Sequence, residues 1–166
     1  MRRVWLLMPL VALFAVGCAT GNAKPIPTQM QIREYQTRMY DTTDTKMVMK
    51  AMLNVLQDDG FIVKNAVVEL GLLSAEKQVD IESTGEAFLA TFFAGSAATW
   101  KKARCIDCTA NVNEYGDQVR VRVNFQMKVL NNKGGIMKLE QVKDQKYYQN
   151  FFSKVDKGIF IEKEEL

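Results

Sequence analysis

Residues 119–129, VRVRVNFQMKV, alternate without a break: Val119, Val121, Val123, Phe125, Met127 and Val129 hold one phase, and Arg120, Arg122, Asn124, Gln126 and Lys128 the other. Successive side chains of a strand point to opposite faces, so this period buries one face and wets the other. An antiparallel sheet with one solvated side accepts such a strand, whereas an all-parallel sheet is covered on both faces. Ile106, Cys108, Ala110 and Val112 repeat the pattern upstream, and the intervening NEYGD at 113–117 reads as a hairpin turn with positive φ at Gly116. A second turn, NNKGG at 131–135, leads into a strand at 136–142. The wet row Arg120, Arg122 and Lys128 is expected to be a solvated strand face, and a site for anionic headgroups or an acidic partner is the alternative use of the same charges.

The rest of the chain supplies helices for one face of that sheet. Residues 32–40, IREYQTRMY, read as a strand of mixed polarity. The DTTDT cluster at 41–45 holds N-cap formers, and Met47, Val48, Ala51, Met52, Val55 and Leu56 follow at helical spacing. Asp58-Asp59-Gly60 ends this helix, with Gly60 suited to C′. A strand over Phe61–Val68, a turn at Glu69-Leu70-Gly71 and a returning strand over Leu72–Gln78 come next. Asp41, Asp44, Asp58 and Asp59 resemble an acid pair in composition, but helix caps and a turn account for all four. Asp144 caps a last helix in which Tyr148, Phe152, Val155 and Ile159 form a stripe beside Tyr147 and Phe151, and Glu162–Glu165 form a solvated tail. The expected fold is α+β: a two-layer domain, an antiparallel sheet of about five or six strands with helices packed on one face.

The N-terminus says where such a domain would sit. Met1-Arg2-Arg3 is basic, and Val4–Val16 carries no charge. That run is too short to cross a bilayer, which takes about 20 apolar residues, and fits the apolar region of a secretory signal. It ends Ala15-Val16-Gly17-Cys18. This resembles the signal of bacterial lipoproteins; where that family usually carries Leu, this chain has Ala15. An ordinary secreted chain cut after an Ala-x-Ala-like site is the alternative. The resemblance implies cleavage before Cys18, a diacylglycerol thioether on its sulfur and an acylated amine. Each buried CH₂ contributes about 0.8 kcal/mol, so two or three acyl chains make a firm anchor. Ala19, where an Asp would signal retention in the inner membrane, implies the outer membrane and its periplasmic face.

The expected organisation is therefore a signal peptide over 1–17, a lipidated Cys18 with a flexible linker to residue 31, and a single α+β domain over 32–166. Loss of Arg2 and Arg3 lowers Lys+Arg from 22 to 20 against 19 Asp+Glu, which removes the bulk electrostatic case for nucleic acid. Cys105 and Cys108 remain as a C-x-x-C pair. An oxidising periplasm favours a disulfide, which would require a turn or bulge, because the ends of three extended residues lie about 10 Å apart. Two unpaired buried thiols are the second reading. A redox pair or a zinc site comes third, since the segment leads into a strand and the chain has no His and no further Cys ligand.

Residues 85–102, GEAFLATFFAGSAATWKK, are apolar nearly all round a helix, with Phe88 and Phe92 on one line and Phe93 and Trp100 beside it. Ser83 and Glu86 have capping-box spacing. Such a segment is either a core helix buried between sheet and terminal helix, or a docking surface for a partner protein, a second copy or the membrane interface.

Chemistry is harder to place. The chain contains no His, the commonest general base, and no nucleophile motif, P-loop or dinucleotide fingerprint. The expectation is a non-enzymatic outer-membrane lipoprotein without a cofactor or metal, an accessory or scaffold that binds another envelope protein or its own copies. The alternative is a periplasmic binder of a small ligand or lipid held between sheet and helices. The helix, LQDDGF and hairpin at 56–73 are similar to the helix-grip domains of envelope lipoproteins such as the BamC component of the barrel-assembly machine. That similarity is one of topology and turn residues over about half the chain, and it carries no functional residue across.

Overall fold

The structure, a computed structural model, describes residues 27–81 and 99–164. The chain runs α1 (Gln29–Tyr35), β1 (Thr37–Tyr40), α2 (Thr45–Asp58), β2 (Ile62–Val67), a 3₁₀ turn over Val68–Leu70, β3 (Leu72–Asp80), β4 (Lys101–Tyr115), β5 (Gln118–Asn131), β6 (Ile136–Gln141) and α3 (Gln145–Glu164). It is an α+β fold: six antiparallel strands in one sheet, with α2 and α3 packed against one face.

Where the sequence carries two signals at once, local structure follows them closely. Asp44 caps α2, its carboxylate accepting the Met47 amide at 2.9 Å. At the other end Phe61 N donates to Leu56 O and Gly60 N to Gln57 O, which satisfies the last carbonyls of α2. The β4–β5 hairpin turns through Gly116-Asp117 alone, with Gly116 at φ 63°.

Residues 32–40 differ from expectation. They form most of α1 and then β1, not one strand. The reason is a capping box: Thr28 Oγ1 accepts the Gln31 amide, and the Gln31 side chain accepts the Thr28 amide at 2.9 Å. Helix α1 thus begins inside the segment expected to be linker, ahead of the domain boundary placed at residue 32.

Strand order is β1-β5-β4-β3-β2, and β6 also pairs with β5. Strands β1 and β6 lie end to end along one edge of β5, at Val119–Arg122 and Gln126–Leu130. Between them the edge of β5 would be bare. Val123 N is taken by Gln36 O, and Phe125 O accepts Val142 N. Phe125 N donates to the hydroxyl of Tyr148, which reaches in from α3, accepts Gln36 Nε2 at 3.0 Å and donates to Val142 O at 3.0 Å. A side chain thus stands in for the missing piece of strand, and Gln36, 1% exposed, is buried because its amide belongs to this network.

The helix-facing side of the sheet carries Leu73, Ala75, Cys108, Ala110, Val112, Val119, Val121, Val123 and Phe125, all buried. Phe125 is their centre, with ring contacts to Phe61, Tyr147, Tyr148 and Phe151. Against it lie Val48, Met52 and Leu56 of α2 and Phe152, Val155 and Ile159 of α3. Gly158 of α3 lies against Ala51 of α2, where an added Cβ would meet the Ala51 Cβ at 3.4 Å, so small residues set the approach of the two helices.

Candidate functional site

The register of β3, β4 and β5 also fixes what the other face presents. Opposite the helices, Leu72, Asn111 and Arg122 share a row, as do Ser74, Thr109 and Asn124, and Glu76, Asp107 and Gln126. Asn113 and Arg120 form the next row beyond Arg122. Among the described residues no helix packs on this side. Thr109, Arg120 and Arg122 are exposed, and the amides between them are half-buried by one another.

The polar groups of this face hold each other in place. Asn113 Nδ2 donates to Asn111 Oδ1, and Gln141 Nε2 and Gln36 Nε2 both donate to Asn124 Oδ1, at 2.8 and 3.3 Å. The Arg120 guanidinium lies 4.9 Å from the centre of the Tyr115 ring, a cation–π contact that orients it. Lys128 and Asp107 form an ion pair, and the hydrogen bond to Asp107 raises the Lys128 ammonium above its ordinary value. Lys128 is therefore half-buried and paired, not a solvated member of the row with Arg120 and Arg122. Amides, a hydroxyl and two guanidinium groups make a flat hydrogen-bonding surface that can take a polypeptide or an anion. Of the two carboxylates in this face's Glu76, Asp107 and Gln126 row, Asp107 is bound to Lys128.

Cys105 and Cys108 belong to this geometry, and the expected disulfide does not form. Both are free thiols, and β4 keeps regular pairing with β5 from Ala103 to Tyr115, with no bulge between the two cysteines. An undistorted strand separates residues three apart by about 10 Å and turns them to opposite faces. Cys108 points into the helix-covered core at 0% exposed, where burial pushes its pKa up to about 12. Cys105 lies on the opposite face in register with Gln78 and Lys128. Its thiol is also raised, by desolvation first and then by the charges of Glu76 and Asp107. Neither environment stabilises a thiolate, which is what a reactive cysteine needs.

The remaining expected residues are scattered. Cys18, Phe88, Phe92 and Phe93 lie outside the described residues. Trp100 is half-buried at the start of β4, its amide donating to Asn132 Oδ1 and its carbonyl accepting Asn132 N. The carboxylates at 41, 44, 58 and 59 do not converge. Asp44 is a cap, Asp59 pairs with Lys154, and Asp41 accepts Gln118 Nε2. A groove of about 690 Å³ runs between α1 and α3, open to solvent and lined by Thr28, Gln31, Tyr35, Arg38 and Phe152 among others. Among the described residues no three His, Cys, Asp or Glu side chains are grouped to hold a metal ion. No helix there is long and apolar enough to cross a membrane.

The sequence pointed to Arg120 and Arg122 and put Asn124 in the wet phase without a role; Asn113 and Tyr115, expected in a hairpin turn over 113–117, instead extend β4, and Asn111 had no expected role. The signal was present: Asn111, Asn113 and Tyr115 are the outward phase of the strand whose inward phase is Cys108, Ala110 and Val112. No protein-family model and no curated protein matches the chain.

Proposed function

We propose that this protein is a non-enzymatic lipoprotein of the outer membrane, anchored through acyl chains on Cys18. In this reading it holds another envelope protein against the polar face of its sheet, opposite α2 and α3. The observation that carries the proposal is that face: a broad polar surface whose amides are pre-positioned by mutual hydrogen bonds, with Arg120 and Arg122 exposed on it. Pre-positioned groups lose less freedom on binding, so a surface of this kind spends little of its contact energy on ordering. The signal-like N-terminus ending at Cys18 supports the anchor, and the two acylated ends of such a residue would keep the domain at a membrane surface.

The test has two arms in the full chain. Cys18→Ser should abolish palmitate incorporation and leave an uncleaved or unlipidated precursor; a variant that still matures and stays with membranes after a high-salt wash would remove the anchor. A photo-crosslinking residue placed at Thr109 or Arg122 should trap one discrete protein, and the same residue at Lys157 on the exposed side of α3 should not. Equal labelling from both faces would remove the sheet face from the proposal.

The groove between α1 and α3 supports a second reading, a small-ligand binder. In this reading a ligand occupies the open groove, in contact with Tyr35 and Arg38.

A further inference from the structure

The edge of the sheet at β6 points to a second copy of this chain as its partner. Strand β6 pairs only with β5 among the described residues, and its apolar side chains are exposed, Leu139 at 51%. An exposed edge strand presents unpaired backbone groups and invites another strand. Which groups are unpaired follows from the register. Val142 N donates to Phe125 O, and pairing continues as Met127 with Glu140 and Val129 with Lys138. Alternation along an antiparallel ladder then turns the backbone of Lys138 and Glu140 inward, toward β5, and that of Leu139 and Gln141 outward.

We propose that two copies pair through β6, antiparallel, with Leu139 opposite Leu139 of the second copy. This register is the one that the charges select. It exchanges two backbone hydrogen bonds between the Leu139 residues and sets Lys138 of each copy opposite Glu140 of the other. Lys138 and Glu140 already lie 2.9 Å apart along their own strand, so the pairing completes a square of four alternating charges. Moving to the next register that keeps the backbone groups matched would set Lys138 against Lys138, or Glu140 against Glu140. Like charges directly opposed destabilise a strand pair. The bulge in β6 near Met137 limits regular pairing to the 138–141 stretch, so the contact is short and register-specific. The proposal stands apart from the reading of the sheet face, since β6 and that face can be occupied at once.

The experiment uses the full chain in the membranes of the cells that make it. Residues directly opposed in a hydrogen-bonded antiparallel pair have Cα atoms about 5.5 Å apart, within the span of a disulfide. Leu139→Cys, treated with a mild oxidant, should give a covalent dimer on a non-reducing gel. The unaltered chain, whose Cys105 and Cys108 are buried and whose Cys18 sulfur the proposed lipid occupies, should not, and neither should Lys157→Cys on the exposed side of α3. Adding Glu140→Lys to Leu139→Cys should remove most of the dimer, and adding Lys138→Glu as well should restore it. That restoration also shows that the charge variants fold. No dimer from Leu139→Cys would overturn the proposal and leave the edge to a strand of another protein. A dimer indifferent to the charge reversals, or equally strong from Lys157→Cys, would overturn it as random collision.

Discussion

The hydroxyl of Tyr148, carried by the last helix, accepts the amide of Phe125 at 3.2 Å, on the side of β5 between β1 and β6. One oxygen thereby closes the gap between β1 and β6, and it also anchors Gln36 and the Val142 carbonyl. Tyr148→Phe keeps the ring, its contacts with Phe125 and Tyr35 and its volume, but takes the hydroxyl from the Phe125 amide and the Val142 carbonyl and leaves the Gln36 carboxamide only its bond to Asn124. The cost of such orphaned groups is about 1–3 kcal/mol. A drop of that size in urea unfolding, with an unchanged slope, is the expected result. A change below about 0.5 kcal/mol would mean that water replaces the hydroxyl and that the gap is not sealed by Tyr148.

Two glycines of the same backbone sign separate strain from collision. Gly71 has φ 61°, and an added Cβ would sit 1.9 Å from the Val112 carbonyl oxygen. The same two residues are bound through Val112 N to Gly71 O at 2.8 Å, so the strands cannot part to make room. Gly116 has φ 63° with nothing within 4 Å of the added atom. Gly116→Ala should therefore cost only the left-handed conformation, about 1–2 kcal/mol. Gly71→Ala adds overpacking against backbone and should cost about 3–5 kcal/mol in all. Equal losses in the two variants, measured by thermal unfolding, would contradict the close approach of Gly71 to β4.

Alkali should expose the burial of Cys108. Its folded pKa is pushed up to about 12 from an ordinary 9.0, so the unfolded chain loses this proton first. With fewer protons on the unfolded state, stability falls as pH rises. The contribution is intact below pH 9 and is lost progressively toward pH 12, at up to about 1.4 kcal/mol per pH unit for one group. Tyr147, raised from 10.0 to about 12, chiefly by burial, adds to the fall above pH 10. Cys108→Ala should flatten the slope between pH 9 and 10 whatever it does to stability at neutral pH. An unchanged slope would show that the thiol ionises freely in the folded protein.

Tyr40 presents the opposite case to Tyr148. Its hydroxyl is buried with no hydrogen-bond partner among the described residues. The Asp156 carboxylate, held by Arg38 at 2.7 Å, lies near enough to help burial keep the phenol protonated. Removing an unpartnered buried hydroxyl removes its desolvation cost, so Tyr40→Phe should leave stability unchanged or raise it by up to about 1 kcal/mol. A loss beyond about 1 kcal/mol in chemical denaturation would identify a hydrogen bond from Tyr40 to Asp156.

Most of the sheet could be read from residues alone because its signals are local and redundant. The run from Val119 to Val129 alternates without error, Gly116 marks one turn, and the Asp44 and Asp144 caps frame the helices. The inward phase of Cys108 and the outward phase of Cys105 follow from the same alternation, and the disulfide expectation failed because the strand runs straight through them. Helix α1 was missed although Thr28 and Gln31 spell a capping box, since Ile32 and the polar residues around it also fit a strand of mixed polarity. The seat of Tyr148 was beyond reach. Nothing near residue 148 announces a bare amide at 125, and the need for the hydroxyl arises only when two separate strands share one edge of β5. The polar face was half legible: its charges stood out in the sequence, while its amides acquire meaning only through neighbours on other strands.

The placement of β1 has a consequence in time. Thr37 pairs with Arg122, so the first strand of the chain has no edge to join until β5 exists, and the residue that seals its inner end lies later still, at 148. The β4–β5 hairpin turns on two residues and needs nothing from elsewhere to begin. Closing a long loop adds little to the equilibrium cost, which grows only with the logarithm of its length, but non-local pairings of this kind slow the search. Assembly should therefore start from the middle of the chain and finish by joining its two ends. A chain cut before residue 145 would lose its last helix and, with it, the seat of its first strand.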